Sequence, residues 1–176
     1  TNLPNGLMAG YTGRDVYFCD PYHPHAWPEA NIQTIDFPIV GLARMDTTLA
    51  VLTKGCPYLI QGTHPESMAV VKSDLEQACV SKRSIVNVMG AVVYASPDGL
   101  MILSPGGSKI VTENLFNYTQ WQAHFKPESI HAYQHDNQYI AFYDNGTTQG
   151  GFIFDIASGQ FILHDIYATA GFQDIQ

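Results

Sequence analysis

Histidine is the residue type that first suggests chemistry in this sequence, because seven of them occur in 176 residues. His23 and His25 flank a proline, and His131 and His135 precede an aspartate. The second pair lies in a run with the alternation of a strand, where residues i and i+4 share a face but lie about 13 Å apart. That separation is too large for a shared metal ion, and the first pair has no carboxylate or cysteine at ligand spacing. We therefore predict no metal site and interpret both pairs as structural or surface residues.

The sequence also lacks the common catalytic motifs. The sequence contains no GxSxG, SxxK, P-loop or GxGxxG pattern, so nucleophilic catalysis and phosphate binding have no local signature. Paired carboxylates need only be close in space, and four aspartates at predicted strand ends are candidates for glycoside hydrolysis: Asp20, Asp98, Asp144 and Asp155. An aspartate at such a position is more simply a turn residue that binds its own backbone. We predict no catalytic residue, no cofactor and no enzyme activity, and keep a propeller hydrolase as the second alternative function.

Aromatic side chains make up 12% of the sequence and offer a different kind of site. Most lie in predicted strands, where core packing explains them. A smaller group lies in a proline-rich segment and in a predicted helical crossover, where side chains can stack on sugars or anchor a partner protein. The predicted surface recognition residues are Tyr22, His23, His25, Trp27 and Trp121.

The elements that position these residues are predicted to be short antiparallel strands. Alternating runs bounded by turn residues form four hairpins: residues 6–12 with 15–20, 39–45 with 48–53, 85–89 with 91–96, and 130–135 with 138–143. Two further runs follow each of the last three hairpins: 57–61 with 68–72, 100–103 with 109–112, and 151–156 with 160–164. Each of these three segments therefore reads as a four-stranded meander.

The meanders recur along the chain. Units beginning at residues 39, 85 and 130 are 46 and 45 residues apart, within the spacing of about 40 to 50 residues typical of propeller blades. The predicted fold is all-β: a single β-propeller-like domain, complete or partial, with units at 6–37, 38–83, 84–128 and 129–176. Residues 119–125 are predicted to be a short helical crossover. Residues 73–78 fit either a second crossover or a continuing strand.

Charge and composition exclude several classes of function. Sixteen acidic residues against eight basic ones give a net charge of −8, which opposes tight nucleic-acid binding. No apolar run approaches the roughly 18 residues of a membrane-spanning helix, so no membrane association is predicted. Three widely spaced cysteines suggest neither a disulfide framework nor a zinc site. The sequence starts at a threonine and also fits a piece of a longer protein.

Three stretches carry a resemblance to a known class of protein: DVYFCDPYHPHAWPE at residues 15–29, LAVLTKGCPYLIQG at 49–62, and CVSKRSIVNVMGAVVYASPDGLMI at 79–102, the last followed by Gln120 and Trp121. They resemble segments of propeller-like virion proteins of tailed bacteriophages and prophages. Those proteins are similar to the tail nozzle or packaged-DNA stabilisation proteins that extend the portal. The resemblance implies a structural role, without catalytic residues to transfer.

The leading hypothesis from the sequence is a tail- or portal-associated structural component of a phage or prophage particle. Its expected partners are other virion proteins or copies of itself, and its expected location is the virion, with the host cytoplasm during assembly. The first alternative is a carbohydrate- or receptor-binding propeller module that would stack glycans on the aromatic residues named above.

Overall fold

The computed structural model describes residues 1–4 and 6–171. Within them lie fifteen strands, one α-helix and four short 3₁₀ helices. The strands form four antiparallel sheets in which each strand pairs with its neighbour in sequence. The prediction of an all-β fold built from repeated meanders is confirmed. The propeller-like arrangement of all four sheets in one domain stays a prediction, and residues 172–176 of the last predicted unit lie outside the described residues.

The first two sheets belong to one compact unit, Thr1–Cys79. Sheet A has three strands: β1 (Ala9–Thr12), β2 (Asp15–Phe18) and β3 (Ile32–Thr34). Sheet B has four: β4 (Ile39–Met45), β5 (Thr48–Thr53), β6 (Tyr58–Gln61) and β7 (Ala69–Lys72). Strand β1 lies beside β4, and the Tyr11 hydroxyl on β1 donates a 2.7 Å hydrogen bond to the Val40 carbonyl on β4.

The core of this unit lies between facing sides of sheets A and B. Alternate residues of each strand point into it, among them Val16, Phe18, Leu49, Val51 and Ile60, all nearly inaccessible to solvent. Such burial stabilises each aliphatic side chain by about 1.5 to 3 kcal/mol relative to exposure.

The second compact unit begins at Val80. Sheet C contains β8 (Val86–Val88), β9 (Ala91–Ala95), β10 (Leu100–Ser104) and β11 (Gly107–Ile110). Sheet D contains β12 (His131–His135), β13 (Gln138–Asp144), β14 (Gln149–Asp155) and β15 (Phe161–His164). Here too the first strands of the two sheets, β8 and β12, lie side by side.

Helix α1 (Tyr118–Phe125) connects sheets C and D, as the sequence predicts. Its N-terminus is fixed by a capping box: the Asn117 side chain accepts from the Gln120 amide at 2.9 Å, and the Gln120 side chain accepts from the Asn117 amide at 3.0 Å. Its buried residues, Trp121 and Phe125, enter the core between the two sheets beside Phe152.

The sheets differ in how their two faces are covered. In sheet C, alternation would leave one face polar, yet Val92, Tyr94 and Met101 on the side away from the core are also fully buried. In sheet B, Met45 and Leu52 also lie on the side away from the core and are fully buried. The corresponding sides of sheets A and D are only partly buried. Apolar residues at consecutive positions of β5, β9 and β10 are the sequence signature of strands buried on both faces.

The structure differs from the sequence analysis at three places. Strand β3 was not predicted, because three residues give too short a pattern beside the proline-rich segment. Strand β11 begins at Gly107 instead of 109, since Ser104 pairs directly with Gly107 across a two-residue turn. Residues 73–78 form neither a helix nor a strand; β7 ends at Lys72 and an irregular segment follows.

No helix among the described residues is long and apolar enough to cross a membrane.

Candidate recognition site

The segment Asp20–Trp27 follows β2 and forms a loop that its own backbone holds in place; we name it the aromatic loop. The Asp20 amide donates to the Ala26 carbonyl at 2.9 Å, the His23 amide to Asp20 at 2.9 Å, and the Ala26 amide to His23 at 3.0 Å. The Asp20 carboxylate also accepts a 3.2 Å hydrogen bond from the Asn31 side chain. The loop therefore presents its side chains from an ordered backbone.

The two aromatic residues of this loop lie at the surface, and each ring is seated against a glycine. Tyr22 is 74% exposed and Trp27 is 40% exposed. The Tyr22 ring lies so close to Gly6 that a Cβ there would be 2.5 Å from the ring, and the Trp27 ring lies 3.7 Å from the Cβ position of Gly10. Each ring thus lies next to the backbone of a glycine, while the residue remains partly open to solvent.

Backbone and side-chain hydrogen bonds fix the orientation of both residues. The Trp27 indole Nε1 donates to the Pro24 carbonyl at 2.9 Å. Tyr22 has a φ of +63°, in the left-handed region that non-glycine residues rarely adopt, and its amide donates to the Gly6 carbonyl at 3.2 Å. Backbone strain of this kind is concentrated at functional sites. The ring positions are therefore set before any ligand arrives.

His23 and His25 lie on the same loop and are both exposed. Their rings meet edge to face with centroids 6.0 Å apart, and His23 Nδ1 lies 3.0 Å from the Pro21 carbonyl oxygen. Since that carbonyl can only accept, a hydrogen bond at this contact requires a proton on Nδ1. The structure thus brings four of the five predicted recognition residues, Tyr22, His23, His25 and Trp27, onto one loop.

Trp121 does not belong to this site, and its prediction as a surface residue is wrong. Its side chain is fully buried, and its indole Nε1 donates a 3.0 Å hydrogen bond to the Ser96 carbonyl inside the second unit. It packs against Phe125 at a ring-centroid distance of 4.8 Å. Helix α1 turns this side chain inward, which the sequence around it does not reveal.

The predicted histidine pair on β12 does not share a site. His131 is buried with Nε2 2.7 Å from the Ala168 carbonyl oxygen, whereas His135 is exposed and 3.7 Å from the Asp136 carboxylate. Within residues 1–4 and 6–171, no three His, Cys, Asp or Glu side chains are grouped closely enough to hold a metal ion.

The carboxylates at strand ends act as turn residues. Hydrogen bonds from the Gln149 side chain and the Gly146 amide lower the pKa of Asp144. Hydrogen bonds from the amide and hydroxyl of Ser158 lower the pKa of Asp155. A general acid needs a raised pKa, so neither residue is prepared for that role. Asp98 lies exposed in the turn between β9 and β10.

A groove beside α1 escaped the sequence analysis because it is completed by Asn145, whose place beside the helix depends on the fold. It encloses about 370 Å³ and is lined by Phe116, Gln120, Ala123, His124 and Asn145. His124 Nε2 contacts the Tyr143 hydroxyl at 3.1 Å, and the Asn145 side-chain amide donates to the His124 backbone carbonyl at 2.8 Å. These polar groups already bind one another, so the aromatic loop is the stronger candidate for recognition.

No family model matches the chain, and no curated protein matches it.

Proposed function

We propose that this protein is a non-enzymatic structural component of a phage or prophage particle, tail- or portal-associated, that acts through protein–protein contacts made by the aromatic loop. It would reside in the virion, and in the host cytoplasm during assembly. The observation that carries the proposal is the loop itself, which displays Tyr22, His23, His25 and Trp27 from a hydrogen-bonded backbone.

The energetics of protein interfaces support this use of the loop. A few aromatic anchors supply most of the binding energy in such interfaces, and tryptophan and tyrosine are the most frequent among them. Fixing side chains before association lowers the entropic cost of binding. Trp27 meets both conditions, because its indole is hydrogen-bonded and its ring is supported by Gly10.

The charge of the chain is consistent with a place next to packaged DNA. A wall with a net charge of −8 repels phosphate, so DNA would pass without adhering. This favours a conduit or spacer over a DNA clamp.

The test is whether the loop is required for incorporation into particles. We expect the chain in purified virions, and we expect Trp27→Ala and Tyr22→Ala to reduce its incorporation at least about tenfold, as loss of a hot spot does. The matched control is Tyr118→Ala, which removes a 58% exposed aromatic residue from α1. Absence of the chain from virions would overturn the structural role, and normal incorporation of both loop variants would overturn the role of the loop.

A second candidate, a carbohydrate- or receptor-binding module, is favoured by the seating of the Tyr22 and Trp27 rings on glycine. A partly exposed aromatic ring held in a fixed position can stack against the apolar face of a sugar, with nearby polar groups binding its hydroxyls. A glycan array probed with the wild type and with Trp27→Ala separates the two functions. Glycan binding that depends on Trp27 supports the second candidate; no binding leaves the assembly role in place.

A further inference from the structure

Asn145 lies in the turn between β13 and β14 and joins this turn to the end of helix α1. Its side-chain Nδ2 donates to the His124 backbone carbonyl at 2.8 Å and to the Ala123 backbone carbonyl at 3.4 Å. Both carbonyls belong to the last turn of α1, where intrahelical partners run out. The helical partner of Ala123 would be Pro127, which has no amide hydrogen. Asn145 is therefore a C-terminal cap that the sheet supplies to the helix.

The oxygen of the same side chain organises its own turn. Asn145 Oδ1 accepts hydrogen bonds from the Thr147 amide at 2.9 Å and the Thr148 amide at 2.7 Å. The amide of the next residue, Gly146, donates to the Asp144 carboxylate at 2.8 Å. One side chain thus holds both the shape of the turn and the end of α1.

An asparagine followed by glycine deamidates more readily than other asparagine pairs, because glycine has no Cβ to hinder attack by its own backbone nitrogen. The Gly146 nitrogen bonds to Asn145 Cγ, the Cγ–Nδ2 bond breaks, and Nδ2 leaves as ammonia with the Gly146 amide proton. The succinimide that forms takes up one water molecule and opens to aspartate or isoaspartate. Gly146 has a φ of +89° and open space at its Cβ position, so no neighbouring side chain obstructs this attack.

In the folded protein, hydrogen bonds hold every group that this reaction must move. Loss of Nδ2 breaks its bonds to the helix, and loss of the Gly146 proton breaks the bond to Asp144. The Asp144 carboxylate is too weak a base to remove that proton, since hydrogen bonds from the Gln149 side chain and the Gly146 amide lower its pKa. These bonds stabilise the starting state and raise the barrier to ring closure.

We propose that Asn145 is a deamidation site gated by the docking of α1. The docked helix protects the side chain, and the reaction takes place when the end of α1 separates from the turn. The proposal is independent of the proposed function, because it concerns contacts within the second unit alone. Refolding does not restore the lost amide, so each reaction leaves a permanent record that the helix has opened.

The product should dock the helix less firmly than asparagine does. A carboxylate at position 145 keeps one oxygen for the Thr147 and Thr148 amides. Its second oxygen replaces the Nδ2 donor and faces the carbonyl oxygens of Ala123 and His124, which are acceptors as well. The negative end of the helix dipole adds to this repulsion. The gate therefore closes less completely after the reaction than before it.

The first experiment compares the rate of deamidation in native buffer and in urea at neutral pH, by mass spectrometry of the peptide that contains Asn145. We expect the native rate to be lower by about tenfold or more, since the hydrogen bonds of the turn must break first. Asn5 and Gly6 form the second such pair in the sequence and supply a reference rate in urea. Equal rates at Asn145 in native buffer and in urea would exclude protection by the fold.

The second experiment loosens the docking without changing Asn145. The Ser129 hydroxyl donates to the Phe125 carbonyl at 3.2 Å and accepts from the Asp144 amide at 3.0 Å, a second link between helix and strand. We expect Ser129→Ala to speed native deamidation at Asn145 about fivefold, as loss of one hydrogen bond does.

The matched control is Ser158→Ala, which removes a serine hydroxyl from the turn between β14 and β15, where it binds Asp155 and not α1. The two variants are compared at equal free energy of unfolding, adjusted with a low concentration of urea. Acceleration by Ser129→Ala alone supports the gate. Equal acceleration by both variants would mean that the reaction follows global unfolding, and the proposed gate would be wrong.

The third experiment places the same charge at the two ends of α1. Asn145→Asp reproduces the product, and we expect it to raise the unfolding equilibrium constant by about tenfold. Asn117→Asp adds the same charge at the N-cap, where aspartate is favourable, and should leave the constant unchanged or lower it. Equal destabilisation by the two variants in urea unfolding would contradict the predicted loss of docking.

Discussion

At the scale of single residues, the feature that recurs in this molecule is an aromatic ring seated on a glycine. Tyr22 lies on Gly6, Trp27 on Gly10 and the His164 ring on Gly151. Composition shows the glycines and the aromatic residues but not which of them meet, because their pairing depends on strand register. The sequence therefore predicted the aromatic loop as a recognition site but also placed the buried Trp121 on the surface.

Two of these glycines give a testable contrast. An added Cβ at Gly151 would collide with the His164 ring and lie 2.7 Å from the backbone oxygen of Ala141. We expect Gly151→Ala to lower the free energy of unfolding by about 1 to 3 kcal/mol, as overpacking does. The control is Gly10→Ala, whose Cβ would meet the Trp27 ring at an ordinary 3.7 Å. Urea unfolding measures both, and equal stability of the two variants would contradict this account.

At the scale of elements, the sequence is informative wherever alternation and turn chemistry agree. The four hairpins form as predicted. Their turns contain Gly13, Asp46, Met89 and Asp136, and each of these residues adopts the positive φ that tight turns need. Prediction from the sequence fails where either the alternation or the turn residues are missing. Strand β3 is too short to alternate visibly, and residues 73–78 carry helix-tolerant residues without an apolar side to pack.

The turn between β14 and β15 predicts a response to acid. Hydrogen bonds from Ser158 lower the pKa of Asp155 below its ordinary 3.8 in the folded state. A carboxylate with a lowered folded pKa contributes stability above its unfolded pKa, and that contribution is lost as the pH falls through the folded value. We expect Asp155→Asn to flatten the decrease of the melting temperature below about pH 4. The side chain is exposed to solvent, so the effect should be small. If the variant and the wild type have the same pH profile, this turn does not contribute to the loss of stability in acid.

At the scale of the whole molecule, the chain consists of two compact units, each with a pair of meanders around its own core. The all-β class and the repeat were predictable because they depend on patterns that span many residues. Which apolar residues stay exposed was not predictable, since a single sequence shows which residues are apolar but not which of them the fold leaves uncovered.

The charge of the whole chain leads to a prediction about nucleic acid. With twice as many acidic as basic residues, the protein should not bind duplex DNA at physiological salt. A gel-shift titration should show no complex up to high micromolar protein. A salt-sensitive shift would instead indicate a local basic surface and would contradict the role of a non-adhering wall.

The two tryptophans make the units optically distinct. Trp27 is partly in water in the first unit, and Trp121 is sealed in the interior of the second. Indole fluorescence shifts to longer wavelength with hydration, so Trp27 should emit to the red of Trp121. The intrinsic emission of the unlabelled protein thus carries two signals, one that follows occupancy of the aromatic loop and one that follows melting of the second unit.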